Sequence, residues 1–444
     1  MITRMQDTRH DLRIERFAAG LDGEAPDART LGWFEAVSFG FYDKKPDPVD
    51  VAAYSKAYGT DRRVLWGAYD DSPRPGVWDN QVPVATYATM VNTLNVGGGR
   101  LMDAHLITAV TVRATHRRRG LLRRMITDDL KQAADRGLAM AALTASEATI
   151  YGRFGFGAAT FTREVEIDVR ERFGLRAPAT GTMELAEPAS LQQLAPELFN
   201  RFHARVPGSI GRQASYALRV SGRWSQDSAS EDKSVRTAVH YDGDGRPDGY
   251  VSYRFAGWDN KPYTVKVIDL VAASQDAYLE LWRYLGSLDL VERIQFPLCP
   301  EQDPLAWGLT DSRGYEVKAA EDVLWLRVLD PVTVLQARPY VHDGACTLRI
   351  SDPLDICGGA YRLTVKDGRG SVDRLAADAD VDAVLPVDSL GSLFLGAVRA
   401  RTLAAAGHFS GASAETVGRL DSLFATDALP YCITHFMPAL PELG

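Results

Sequence analysis

Hydrophobic and polar positions change period several times along the chain, and each change predicts an element. Residues 12–17 alternate as a first strand, and residues 31–41 recur at helical spacing, carrying Trp33, Phe34 and Phe39. Pro46 and Pro48 then break the chain. Residues 64–69 and 83–94 alternate like antiparallel strands, and Gly97, Gly98 and Gly99 turn the chain toward a β-branched run at 106–112 that suits a buried central strand. Leu121, Leu122, Met125, Ile126, Leu130 and Ala133 follow at helical spacing, Gly137 is a stop, and 138–145 returns as an apolar strand.

The switch from strand to helix falls at Arg117 to Gly120, and most of the candidate chemistry lies there. A helix start leaves its first amides without partners, and with the helix dipole they form a site for an anion. Gly120 allows close approach to the backbone, and Arg117, Arg118, Arg119, Arg123 and Arg124 add donors suited to phosphate. Neither G-x-x-x-x-G-K-[ST] nor G-x-G-x-x-G stands at this junction, which argues against a nucleoside triphosphatase or a dinucleotide enzyme.

A second α/β unit follows a linker at 177–182. Residues 250–255 and 263–271 read as strands, Ser274 as an N-cap and 276–285 as a helix. The plan repeats, but the junction from Val271 to Ala277 has no R-x-x-G and places Asp276 in the first turn, where it repels a diphosphate. Further on, strands are expected at 323–329, 346–350, 360–365 and 383–387, a short helix at 332–337 and an apolar helix at 389–405. The division is three modules, 1–173, 174–308 and 309–444, in an α+β chain.

Composition narrows the function classes. A chain of 444 residues exceeds one core, and 45% hydrophobic with 24% charged residues is ordinary for a globular protein. The net charge of -8, from 50 basic and 58 acidic residues, argues against nucleic acid as a partner. No run of about 18 apolar residues is present and the N-terminus lacks a signal-like core, so no membrane association and a cytoplasmic location are expected. Cys299, Cys346, Cys357 and Cys432 have no metal-ligand spacing and read as free thiols, with no metal site.

Arg117-x-x-Gly120-x-Leu122 directly after Val110-Thr111-Val112 resembles the pyrophosphate loop of GNAT acetyltransferases, with Leu122 where Gly or Ala is usual. With T-H-R-R-R-G-L-L-R and the run from Thr144 through Tyr151 to Gly157, the chain closely resembles the enhanced intracellular survival (Eis) family, multi-acetylating GNAT enzymes best known for modifying aminoglycoside amines. The resemblance covers nearly the whole chain. It implies two tandem GNAT-like domains, the second degenerate, followed by a sterol-carrier-protein-like domain. It implies acetyl-CoA as co-substrate, held by Val110, Thr111, Val112, Arg117, Arg118, Arg119, Gly120, Leu121, Leu122 and Ser146. Tyr151 would protonate the departing thiolate, as a phenol with an ordinary pKa near ~10 is able to do once oriented. The acceptor, a small-molecule or peptide amine such as an aminoglycoside, polyamine or lysine, would meet Phe39, Phe41, Asp43 and Tyr54. Phe41 stands where aminoglycoside-modifying members carry an acidic residue, and Asp43 is the nearest carboxylate. A homo-oligomer, trimer or hexamer, is also implied. The rival class is a non-catalytic acyl-CoA sensor or a lipid-carrying protein.

The general base is where the chain departs from these relatives. In them the chain ends in a phenylalanine whose carboxylate takes the amine proton. Here the matching Phe436 is followed by Met437 through Gly444, so it bears a peptide carbonyl. Three routes remain open: Gly444 or Glu442 supplies the carboxylate, His435 takes the role, or removal of the tail exposes Phe436.

Overall fold

Aspartate, serine and proline set most of the helix starts. The computed structural model describes residues 12–71, 75–76, 78, 80–145, 147–171 and 173–436, and the chain separates into two compact units. The first comprises residues up to Val91 together with Ile107–Asp129. It opens with β1 (Arg13–Phe17) and a short hairpin of β2 (Leu21–Asp22) and β3 (Ala25–Pro26). Helix α1 (Ala28–Gly40) is capped by Asp27, whose carboxylate accepts the Thr30 amide at 2.7 Å. Helix α2 (Pro48–Thr60) begins where the prolines predicted only a break, because Pro48 sits in its first turn, where no amide hydrogen is needed. Strand β4 (Val64–Tyr69) lies antiparallel between β1 and β5 (Ala85–Asn95). Strand β6 (Leu101–Val112) and helix α3 (Leu121–Asp135) follow; both, like β5, run on into the second unit. Trp33, Val51, Leu65, Tyr87 and Ile126 are buried in the first unit's core, and the Tyr87 hydroxyl donates 2.8 Å to Asp129 of α3.

The second unit holds everything after Asp129 and residues 92–106. Strands β7 (Met140–Thr144) and β8 (Gly157–Ala158) flank a short helix α4 (Ala148–Tyr151). Strand β9 (Phe161–Asp168) joins a seven-stranded sheet with β10 (Thr182–Ala186), β11 (Arg236–Tyr241), β12 (Pro247–Phe255), β13 (Thr264–Ala272), β14 (Arg293–Pro300) and β15 (Tyr315–Asp322), in the order β10-β11-β12-β13-β14-β9-β15. Helices α5 (Leu191–Arg205), α6 (Ser215–Val220), α7 (Gln275–Leu285) and α8 (Pro304–Gly308) accompany it. Ser274 caps α7 as expected, accepting the Ala277 amide at 3.0 Å. Trp282, Phe199, Phe296 and Tyr250 fill this core.

Strand β16 (Leu324–Val328), grouped by its position in the chain with the third module, instead pairs antiparallel with β7, Leu324 opposite Thr144 and Val328 opposite Met140. The reason is geometric: β16 supplies backbone partners along one edge of β7. The last module has α9 (Pro331–Ala337), a sheet of β17 (Gly344–Ser351), β18 (Gly359–Lys366), β19 (Arg369–Arg374) and β20 (Ala383–Pro386), and three helices. The single helix expected at 389–405 is two, α10 (Val387–Phe394) and α11 (Ala400–Ala405), separated at Gly396, whose φ is +85°. Helix α12 (Ala414–Leu423) comes last. Helix α10 lies almost on the backbone of β8 and β16: a Cβ on Gly157 would come within 2.0 Å of the Asp388 carbonyl oxygen, and one on Gly391 within 2.3 Å of that of Leu326. All four cysteines are buried and free, and no described helix is long and apolar enough to cross a membrane.

Candidate active site

The loop from Arg117 to Gly120 leads into α3 as the sequence predicts, and its backbone is more specialised than glycine alone suggests. Arg117 is extended, Arg118 is left-handed at φ +64° and Gly120 is left-handed at φ +77°. Left-handed residues among extended or helical ones turn successive amides to one side and make a concavity for an anion. The helical ladder of α3 opens with the Arg124 amide on the Gly120 carbonyl at 3.0 Å, so the amides of Leu121, Leu122 and Arg123 precede it. A Cβ added to Gly120 would meet nothing within 4 Å, which leaves open space over the loop. Arg117, Arg118, Arg119, Arg123 and Arg124 are exposed. Arg117 Nε reaches the Val112 carbonyl at 3.4 Å and Arg119 that of Thr115 at 3.2 Å. Among the described residues none of these five arginines forms a salt bridge.

On β6, Val110 and Val112 are half-buried on one face, and Thr111 turns its side chain the other way. The Thr111 hydroxyl lies 2.7 Å from that of Thr86, and its methyl group packs where a Cβ of Gly40 would stand. Thr111 therefore offers a ligand its backbone and not its hydroxyl. Sequence reading missed Ala109, which is buried and left-handed at φ +52° inside the strand. Such a residue costs energy and redirects the backbone beside it. The Thr86 hydroxyl donates 2.8 Å to the Ala109 carbonyl and holds the bend.

Phe39, named as an acceptor residue, stands edge-on to Trp78 with centroids 4.7 Å apart. Arg113 covers the other ring at 4.9 Å and donates to the carbonyls of Val82 and Pro83, each at 3.3 Å. These residues, with Thr111 and Gly40, border a cavity of about 10 Å³, roughly one water's worth. Phe41 and Asp43 lie on the exposed turn after α1. Tyr54 does not join Phe39; it packs on Phe34 between α1 and α2, 6.0 Å between centroids. Nothing in the sequence marked Trp78 and Arg113.

In the second unit, Tyr151 ends α4 and is 6% exposed. Burial pushes its phenol up to about 12, with the Glu147 carboxylate adding to the shift, so the phenol keeps its proton at neutral pH. The motif glycines after it are structural. Gly155 is left-handed at φ +82°, and a Cβ there would press on Val387 at 2.6 Å and Arg327 at 2.8 Å. Arg327 of β16 donates from Nε to the Phe154 carbonyl at 2.9 Å and from its terminal nitrogen to Asp352 at 2.6 Å, both side chains fully buried. The loop carrying Tyr151 is thereby tied to the last module.

Phe436 is fully buried, at the end of a segment lodged against the second module. His435 is a poor candidate base because burial pushes its imidazole down to about 4. Ser146, Glu442 and Gly444 lie outside the described residues.

Comparison with known proteins agrees with this architecture. Residues 25–159 and 208–328 match models of an acetyltransferase (GNAT) domain, and 331–433 match a sterol carrier protein domain. The N-acetyltransferase Eis of Mycobacterium tuberculosis is 35% identical over 394 residues, covering 86% of this chain and 90% of that protein. An uncharacterized N-acetyltransferase of Streptomyces avermitilis is 34% identical over 419 residues, 92% of this chain and 97% of the relative. Among solved structures, Eis1 of Mycobacterium abscessus superposes with a TM-score of 0.75 at 27% identity, over 95% of this chain and all of that one. A GCN5-related N-acetyltransferase of Anabaena variabilis shares the fold at 17% identity and a TM-score of 0.76, over 96% of this chain and all of that one. Two GNAT modules before a sterol-carrier-like one, and 35% identity to Eis over most of both chains, place the sequence: the chain belongs to the Eis family of GNAT N-acetyltransferases.

Proposed function

We propose that the chain transfers acetyl from acetyl-CoA to a small-molecule or peptide primary amine by direct attack, with Tyr151 as general acid. The observation that carries this reading is the left-handed pair Arg118 and Gly120 under open space, ahead of the free helical amides and exposed arginines. A diphosphate fits that concavity in charge and in shape. The neutral amine attacks the thioester carbonyl, the C–N bond forms and the C–S bond breaks. The phenol of Tyr151 gives its proton to the departing thiolate, whose thiol has an ordinary pKa near ~8.5. Backbone amides at the Ala109 bend stabilise the oxyanion. The ammonium proton leaves through a carboxylate carried beyond His435, since an imidazole pushed down to about 4 accepts protons poorly near neutrality.

The acceptor end favours an amine with an apolar or aromatic body. Phe39 and Trp78 present rings, and the guanidinium of Arg113 adds positive charge where a polycation would require acids. Thiol release from acetyl-CoA, followed across polyamines, aminoglycosides, aryl-alkyl amines and lysine peptides, tests the proposal. Release dependent on acceptor, strongest with amines of apolar body, is expected. Acetyl-CoA binding without thiol release to any acceptor would contradict it.

A further inference from the structure

The second GNAT-like module keeps a feature of the fold while lacking an anion loop. Its strands β13 and β14 run parallel for three residues only, Thr264 to Lys266 against Arg293 to Gln295, and then part. Parting strands expose backbone groups that need partners. Here the chain's own segment 431–436 supplies some of them. The Tyr431 hydroxyl donates to the Leu298 carbonyl of β14, and Ile433 joins the module's core.

One stretch, 207–216, receives the rest of the segment. The Tyr431 amide donates 2.8 Å to the Pro207 carbonyl, and the Thr434 hydroxyl 3.0 Å to that of Ile210. Gly208 permits the approach: a Cβ there would stand 2.7 Å from Pro430. The stretch is itself fixed to the end of β5, with Gly208 on Asn95 at 2.8 Å, Asn95 on Ser209 at 3.0 Å and Gly211 on Thr93 at 2.9 Å.

Tyr216 closes the series at the last residue before Phe436. Its hydroxyl accepts the His435 amide at 2.6 Å and donates to the His435 carbonyl at 3.2 Å, so one group fixes both sides of a single residue. Burial pushes this phenol up to about 12, which keeps its hydrogen in place. Its ring is oriented by Arg212, 4.4 Å above it, whose guanidinium is held by Asp269 at 2.6 and 2.7 Å. Beside this clamp lies a cavity of about 180 Å³, bordered by Tyr216, Ile433 and His435 together with Trp224, Val267 and Pro297. Without the hydroxyl, His435 has room to shift.

We propose that Tyr216 is a positioning residue for acetyl transfer: the degenerate module serves as a receptor for segment 431–436, and Tyr216 sets the place from which the chain presents its proton-accepting carboxylate. This rests on the reading that the base is carried beyond His435. Tyr216→Phe removes the hydroxyl and keeps the ring on Arg212. Tyr253→Phe is the control, since it breaks another buried hydroxyl pair of the same module, with Tyr284 at 2.6 Å.

In the full chain, Tyr216→Phe is expected to lower kcat about 10-fold or more, as small misplacements of reacting groups do. KM for acetyl-CoA should stay within about twofold, and amide exchange at 433–436 should quicken. Tyr253→Phe should leave kcat unchanged. Where Tyr216→Phe does not fold, Thr434→Val loosens the same segment and should show the same split. Unchanged kcat in Tyr216→Phe, with or without faster exchange, overturns the proposal, as does an equal fall in Tyr253→Phe. Absence of acceptor-dependent thiol release in the unmodified chain would instead refute the reaction itself.

Discussion

The hydroxyl of Thr86 donates to the carbonyl of Ala109 at 2.8 Å, and Ala109 is left-handed at φ +52° inside a strand. A neighbouring strand thus holds an unfavourable backbone bend in place. Such bends cost of order 1–3 kcal/mol and persist where the surroundings enforce them.

Replacing Thr86 by Val removes the donor and keeps the shape. The bend should relax, with kcat falling about 10-fold and thermal stability lowered by about 1–2 kcal/mol, since a buried carbonyl loses its partner. Steady-state kinetics and thermal melts read both. Full activity in a destabilised Thr86→Val would assign the bond to folding alone.

Tyr151→Phe should lower kcat by about 10²-fold or more with acetyl-CoA affinity unchanged, as for an interaction made only in the transition state. The sign of its pH dependence follows from the buried phenol: the acid form is present below about pH 12 and is lost as pH rises through that value. The kcat profile should therefore show no alkaline fall due to Tyr151 up to about pH 10. A fall near pH 9 that disappears in Tyr151→Phe would contradict the assignment.

Arg327 and Asp352 form a buried pair at 2.6 Å that links the Tyr151 loop to the last module. Arg327→Met strands the Asp352 charge and should cost about 3–5 kcal/mol. Burial alone would raise the Asp352 carboxyl, but the hydrogen bond and charge of Arg327, joined by the amides of Cys357 and Leu354, more than offset it and hold it below the usual carboxylate range. A depressed carboxylate stabilises above its unfolded pKa, so this contribution is lost as pH falls through the folded pKa. Arg327→Met should then lose less stability on acidification than the unmodified chain does, by denaturant melts at pH 7 and at about pH 2.5, below the ordinary Asp pKa of about 3.9. Parallel losses would show that the pair does not couple to pH.

Much of this was legible in the sequence, and what was not has local causes. The loop at Arg117 to Gly120 and the Ser274 cap announce themselves because phosphate donors, glycine and serine have few substitutes at such places. Ala109 carried no signal, since alanine does not advertise a left-handed backbone. Helix α2 was hidden because Pro48 reads as a breaker and serves as a first-turn residue. Strand β16 was grouped by position with the third module, and its pairing with β7 was not visible because β7 lies far back in the chain. Gly155 and Gly157 were visible as a motif, but the arginine and the carbonyl that demand them, Arg327 and Asp388, come from remote segments. Tyr54 was offered as pocket lining, although an aromatic at helical spacing is more often core, and its ring packs on Phe34.

Calorimetric titration of acetyl-CoA into the Gly120 variants tests the central claim most directly. Gly120→Glu puts bulk and negative charge into the open space over left-handed Arg118 and Gly120. Gly120→Ala adds only a methyl group where nothing lies within 4 Å, at a backbone cost of about 1 kcal/mol. The account predicts that Glu abolishes binding, at least about 100-fold weaker, while Ala weakens it by about 10-fold or less. Unchanged acetyl-CoA affinity in a folded Gly120→Glu would contradict it.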